Sequence, residues 1–148
     1  MDSDVEAIVG YEIEIAIVSF AEDAITDPAI HRKRVTGALG KPGEVMLVAV
    51  AAHAPDVPVG WAWLSARTNS LTSARYGNFR SLAVSDGPDR GPIGELLMAA
   101  VLEAADRAGM TQLTGKVHAG NLGMRTLYRK FGFTATHLTM ERKAPGHD

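Results

Sequence analysis

Apolar positions along the chain change period several times, and each change marks an element. Val5, Ile8, Val9, Ile13, Ala16, Ile17 and Phe20 recur at intervals of three and four, which predicts an amphipathic helix over residues 4–20. Asp27 followed by Pro28 offers an N-cap and a first-turn proline for a second helix to about Leu39. Lys41-Pro42-Gly43 then turns the chain. Val45 to Ala51 is an apolar run of strand length, Pro55 to Pro58 reads as a turn, and Val59 to Arg67 as the next strand, so the two predict a hairpin. Tyr76 to Val84 is a third strand. Ser85 to Gly91 is a loop rich in Asp, Gly and Pro.

From Pro92 the helical period returns at Ile93, Leu96, Leu97, Ala100, Val101 and Ala104, and Gly109 suits the residue after the helix end. Leu113 to His118 is a short strand. Asn121 suits the N-cap of a helix through Lys130, closed by Gly132. Phe133 to Thr136 and Leu138 to Glu141 are terminal strand candidates, and residues 143–148 read as a disordered tail. The order is α-α-β-β-β-α-β-α-β. Its strand–helix–strand unit over 76–118 implies a parallel pair within an α/β (α+β) domain. No repeat and no long linker divides the chain, so residues 2–142 are expected to form one domain.

Composition narrows the chemistry. A chain of 148 residues, 46% hydrophobic, is long enough to bury a core without staples. It has no cysteine, which removes disulfides, thiolate metal sites and a cysteine nucleophile. A net charge of −2 argues against nucleic acid, which usually needs a basic face. No apolar run approaches the roughly 20 residues of a membrane span, and the acidic start MDSDVEAIVG lacks the basic region of a secretion signal. A soluble cytoplasmic protein without a membrane partner is the expectation. HExxH, GxSxG and Walker patterns are missing, so metal hydrolysis, serine hydrolysis and phosphoryl transfer have no support, and no metal is expected.

The segment YGNFRSLAVSDGPDRGPIGELLMAAVLEAADRAGMTQLTGKVHAGNLGMRTLYRKFGF, residues 76–133, resembles the core of the GNAT superfamily of N-acyltransferases. Three parts carry the resemblance. A strand ends in Leu82-Ala83-Val84 and a Gly-rich turn leads into a long helix. A second strand ends just before Asn121. Asn121 is followed by Tyr128 seven residues on, then by Gly132-Phe133.

The resemblance implies a mixed sheet with helices on both faces, in which the parallel strands 76–84 and 113–118 splay apart. The family's first strand would be missing, because the first helix starts almost at once. It implies an acyl donor bound through pantetheine, either acetyl-CoA or another acyl-CoA, or an acyl-phosphopantetheine on a carrier protein. Pantetheine is a chain of amides and can pair with an open strand edge like an added strand. Backbone groups of Leu82, Ala83 and Val84 would meet the donor, and an N–H near Leu82 could polarise the thioester carbonyl. Tyr128 matches the family tyrosine beside the thioester sulfur, a phenol placed to protonate the leaving thiolate. Asn121 would cap its helix, with a donor contact second.

The phosphate loop departs from the family pattern of Arg/Gln-x-x-Gly-x-Gly/Ala. Asp89-Arg90-Gly91-Pro92-Ile93-Gly94 stands there. Asp86 and Asp89 add negative charge, and Pro92 has no N–H to give a phosphate. Arg90 and the N–H groups of Gly91, Ile93 and Gly94 are left to hold a pyrophosphate at the helix N-terminus. Weaker coenzyme A binding, or a carrier-bound donor with its single phosphate, is the expectation.

The general base is open. Family members often carry a carboxylate where Asn78 stands. Strand parity puts Asn78, Arg80 and Leu82 on one face, where Asn78 could orient a water. His118 reads either as a proton acceptor near neutral pH or as a solvated loop histidine. Glu12, Glu14, Glu22, Asp23 and His31 lie on or near the first two helices, which border the acceptor in this family. His137 could border it from the terminal strands. Trp61 and Trp63 share one strand face, as core or as an aromatic wall. The acceptor would be a small-molecule or peptide amine, and a homodimer is compatible. A GNAT-fold binding module without catalysis is the other reading, since fold alone does not fix function.

Overall fold

The computed structural model describes residues 4–20 and 26–146, the side chains of residues 16–20 excepted. Helix α1 (Val5–Phe20) and helix α2 (Pro28–Ala38) lead into strands β1 (Glu44–Ala51), β2 (Ala54–Thr68) and β3 (Arg75–Val84). Helix α3 (Arg90–Arg107), strand β4 (Leu113–Gly115) and helix α4 (Leu122–Lys130) complete the order. The strands form one sheet in the order β1-β2-β3-β4. β1, β2 and β3 pair antiparallel, and β3 pairs parallel with β4. Among the described residues no strand precedes α1.

The helix boundaries follow from their caps. Asp27 accepts the Ala29 N–H at 2.9 Å with Pro28 in the first turn, and Asn121 accepts the Met124 N–H at 3.1 Å. Each cap satisfies a donor that the helix cannot reach. Gly109 and Gly132 follow the ends of α3 and α4 with φ of 75° and 86°, a conformation that costs glycine least.

One core lies on each face of the sheet. On the first, Ile8, Tyr11 and Val35 from α1 and α2 pack over Trp61 and Trp63. On the second, Leu97, Met98, Val101 and Ala105 of α3, with Tyr128 of α4, cover Ala62, Leu64, Phe79 and Val84. Burying each large side chain contributes about 1.5–3 kcal/mol. Both tryptophans are core residues, at 0% and 2% exposure. Their indole N–H groups are satisfied from other elements: Trp61 Nε1 donates to Glu12 Oε1, and Trp63 Nε1 to Glu44 Oε2, both at 2.8 Å. Arg32 of α2 reaches Glu6 of α1 at 2.7 Å, and that hydrogen bond holds the Glu6 carboxyl below the usual carboxylate range.

Several expectations need correction. Residues 55–58 are not a turn but the start of β2, with Pro58 opposite Val50 where the ladder is irregular. Proline is tolerated at such a break. Helix α3 buries Met98 and Ala105 and leaves Leu96 70% exposed, so its inner stripe is rotated from the one read off the sequence. β4 stops at Gly115 rather than His118. Residues 133–136 and 138–141 form no strand, and Leu138 and Met140 are 85% and 87% exposed. Their alternating pattern suits a strand, but a strand also needs a partner edge for its N–H and C=O groups, and a three-residue β4 offers little. Glu22 and Asp23, and residues 147 and 148 of the expected tail, lie outside the described residues.

Candidate active site

Arg80 interrupts the regular pairing of β2 and β3. Trp63 lies opposite Ser81 while Leu64 lies opposite Phe79, so Arg80 is an extra residue on β3. A bulge of this kind shifts the alternation of the strand by one. Before it, Gly77 donates its N–H to Gln112 O at 2.8 Å, on the β4 side. After it, Ser85 donates to Val59 O at 2.9 Å, on the β2 side. Counting back by twos, Ala83 also addresses β2, and the backbone groups of Leu82 and Val84 address the opposite edge.

That edge is open. β4 pairs with β3 only through Gly77, Asn78 and Phe79. The two parallel strands separate from Arg80 onward, and a groove lies between them. It is lined by Arg80, Ser81, Leu82 and Ala83 from β3, Lys116, Val117 and His118 after β4, Asn121, Met124 and Tyr128 of α4 and its cap, and Glu14, Ile15 and Arg90.

Tyr128 enters the groove from the core side. Its ring stands edge-on to Phe79 at 5.9 Å and to Phe133 at 4.8 Å between centroids. Burial alone pushes its hydroxyl up to about 12, because the phenolate would lose its hydration. Tyr128 therefore stays a neutral proton donor across the physiological range. The side chain fits because residue 115 is glycine: a Cβ there would collide with the phenol.

The loop before α3 offers little to an anion. α3 begins at Arg90, and Ile93 already donates its N–H to Asp89 O at 3.0 Å. Gly94, one residue further in, falls within the helix's own ladder. These two N–H groups were expected to be free and are not. Arg90 N bonds Gly87 O at 3.3 Å, and Pro92 has none. Gly91 is the donor left in the first turn. The Arg90 guanidinium lines the groove but is paired with Asp86 Oδ1 at 2.6 Å.

The acetyltransferase (GNAT) family model matches residues 12–133. The chain belongs to the GNAT acetyltransferase family. Solved structures agree in fold. A tetramutant of a Bacillus halodurans protein superposes with a TM-score of 0.80 at 15% identity, over 95% of this chain and 92% of that one. A transcriptional regulator from Bacillus halodurans C-125 gives 0.75 at 14% identity, over 97% and 95%. An aminoglycoside antibiotic 6'-N-acetyltransferase from Acinetobacter haemolyticus gives 0.69 at 15% identity, over 94% and 93%. At such identities the likeness speaks to the fold alone. No curated protein matches the chain.

In this GNAT domain a second cavity, of about 180 Å³, lies on the other side of Arg80. Glu12 of α1, His31, Arg34 and Val35 of α2, and Trp63, Arg80 and Ser81 of the sheet line it. Arg80 and Ser81 border both spaces, so the two adjoin at the bulge. The Arg80 guanidinium lies over the Trp63 ring, 3.9 Å from its centroid.

The sequence-predicted residues divide accordingly. Tyr128, Leu82, Ala83, Arg90, His118 and Asn121 share the groove. Val84, Gly91, Ile93 and Gly94 do not line it. Asn78 and Arg80 do not share a face with Leu82: Asn78 stands opposite Ser65 and Leu82 opposite Ala62, because the bulge separates them. Asn78 lines neither space. His118 Nδ1 accepts the Gly120 N–H at 3.0 Å, which assigns the proton of a neutral ring to Nε2 and makes that atom a donor. His137 borders neither space and bonds its neighbour Thr136 at 3.0 Å. Glu12 and His31 face the second cavity and Glu14 the groove. The sequence reading missed Arg34, Lys116 and the bulge. No local signal announced the bulge, since it is defined by register with β2.

Proposed function

We propose that the chain transfers an acetyl group from a pantetheine thioester in the β3–β4 groove to an amine presented from the α1–α2 side. The observation that carries this reading is the open β3 edge at Leu82 and Val84 beside the Tyr128 hydroxyl. Backbone amides of a pantetheine arm find unpaired partners along that edge. The Leu82 N–H is the nearest candidate to bind the thioester oxygen as charge builds there. The acceptor nitrogen forms its bond to the carbonyl carbon as the C–S bond breaks. Tyr128 gives its proton to the departing sulfur. Glu14 and His118 border the same groove. Glu14 is the better candidate to receive the acceptor's proton through water, because His118 is held as an Nε2 donor.

A second reading of the donor draws support from the α3 loop. With Arg90 held by Asp86 and Gly91 as the remaining first-turn donor, the loop suits the single phosphate of a carrier-bound phosphopantetheine better than a pyrophosphate. The test is calorimetric titration with acetyl-CoA, beside transfer assays with acetyl-CoA and an acetylated carrier protein. Micromolar binding of acetyl-CoA with turnover supports free coenzyme A. Turnover with the carrier alone supports the second reading. Neither binding nor turnover with either donor would refute acetyl transfer and leave a GNAT-fold binding module.

A further inference from the structure

We infer that the acceptor is an amine carrying a carboxylate, and that Arg34 and Arg80 bind that carboxylate; this rests on the acetyl-transfer reading above. Arg32 is engaged by Glu6 and Arg90 by Asp86. Arg34 and Arg80 pair with no carboxylate of a described residue, yet both line the cavity beside the bulge. Arg34 reaches it because His31 and Val35 of the same helix are buried against the sheet, which turns this face of α2 inward. Arg80 reaches it because the bulge adds a residue that the β2 register does not absorb.

The two guanidinium groups suit a planar anion. The cation–π contact with Trp63 holds the Arg80 guanidinium over the ring and leaves N–H groups free to hydrogen-bond. A carboxylate takes such a fork through two parallel hydrogen bonds. The third charged side chain, Glu12, has one oxygen committed to Trp61 Nε1. Two cations against one anion leave the cavity positive. A polycationic acceptor would meet two guanidinium groups there. The cavity's volume of about 180 Å³ holds the polar end of a small molecule. An acceptor anchored by its carboxylate at Arg80 has its amine beside the groove, since Arg80 borders both spaces.

The experiment compares the twenty L-amino acids with their carboxamides as acceptors, in the wild type and in Arg34→Gln, Arg80→Gln and Arg80→Lys. Acetylation should favour at least one amino acid over its amide. Each Gln variant should raise the KM for that acid about 10- to 150-fold, as expected for a lost charge-assisted contact. In Arg34→Gln, whose residue lies outside the donor groove, the amide's KM and the affinity for acetyl-CoA should stay within a few-fold. Arg80→Lys keeps the charge but not the fork, and should recover only part of the loss. Circular dichroism confirms folding, and Arg34 is itself exposed, so its variant tests the idea even if the Arg80 variants misfold. Direct titration of the N-acetylated amino acids gives a readout independent of turnover: wild-type binding weakened in Arg34→Gln supports the site. Equal use of acids and amides, or equal losses for both in the variants, overturns the carboxylate site while leaving acetyl transfer intact. Absence of binding and turnover with both acetyl-CoA and the acetylated carrier would refute acetyl transfer. Absence of binding by every N-acetylated acid, with amides still acetylated, would overturn this inference alone.

Discussion

The phenol of Tyr128 occupies the space in which a side chain on Gly115 would begin. β4 ends at that glycine, so the strand terminus and the position of the phenol are one arrangement. Gly115→Ala should displace the ring from Phe79 and Phe133. A misplacement of about 1 Å can cost 10²-fold in rate. We expect kcat to fall at least about 10-fold, by the same argument, with little change in the KM for the donor. In a Tyr128→Phe background the same substitution should cost much less, a coupling that a double-mutant cycle measures.

Tyr128→Phe should itself lower kcat by about 10²–10⁴-fold, the usual worth of a positioned proton donor. The packed ring is retained, so far-ultraviolet dichroism should not change. An unaltered kcat would remove Tyr128 from the chemistry.

The same tyrosine predicts a pH dependence of stability. Its hydroxyl is pushed up to about 12 from an ordinary 10.0 by burial. Between these values the folded chain keeps a proton that the unfolded chain has lost, so stability falls as pH rises. The contribution is complete below pH 10.0 and is lost as pH approaches 12. Denaturant unfolding between pH 9 and 11.5 should show the wild type losing stability faster than Tyr128→Phe. A spectrophotometric titration that compares the wild type with Tyr128→Phe should show the Tyr128 phenol ionising only as pH approaches 12.

Restoring the phosphate loop should tighten coenzyme A binding. Pro92 is the third residue of α3, where an N–H would be free of the helix ladder. Asp89→Arg with Pro92→Gly adds that donor and a cation. A hydrogen bond to a charged group is worth about 1.5–3 kcal/mol, roughly a 10- to 150-fold gain in affinity. Calorimetry at two salt concentrations should show the gain shrinking with ionic strength. Activity with a carrier-bound donor should barely change. An unimproved affinity would mean that Arg90 and Gly91 already suffice.

Glu44 ties the β1–β2 pair together. It accepts from Trp63 Nε1 at 2.8 Å and from the Ser65 hydroxyl, and Ser65 is fully buried. Glu44→Ala strands two buried donors at about 1–3 kcal/mol each. Thermal unfolding should drop by roughly 5–15 °C for a domain of this size. Glu44→Gln keeps an acceptor oxygen and should lose less.

Much of the fold was written in local pattern. Caps at Asp27 and Asn121, glycines at 109 and 132, and the apolar runs around Trp61 and Phe79 depend on neighbours in sequence; the caps and glycines stand where the pattern placed them, and both runs are strands, although β2 begins earlier, at Ala54. Tyr128, Asn121, Leu82 and Arg90 could be read as one site because their spacing resembles a family core. Pairing partners were not local. Whether residues 133–141 become strand depends on an edge that β4 does not supply. Whether Asn78 faces Leu82 depends on a bulge set by register with β2. Whether Ile93 can give an N–H depends on where α3 begins. Arg34 and Arg80 are 46 residues apart in sequence, and only the packing of α2 over the bulged strand brings both to one cavity. Period and propensity are properties of a segment. Register, edges and cavities are properties of how segments meet, and in this protein those meetings shape the groove and the cavity where the donor and the acceptor are proposed to bind.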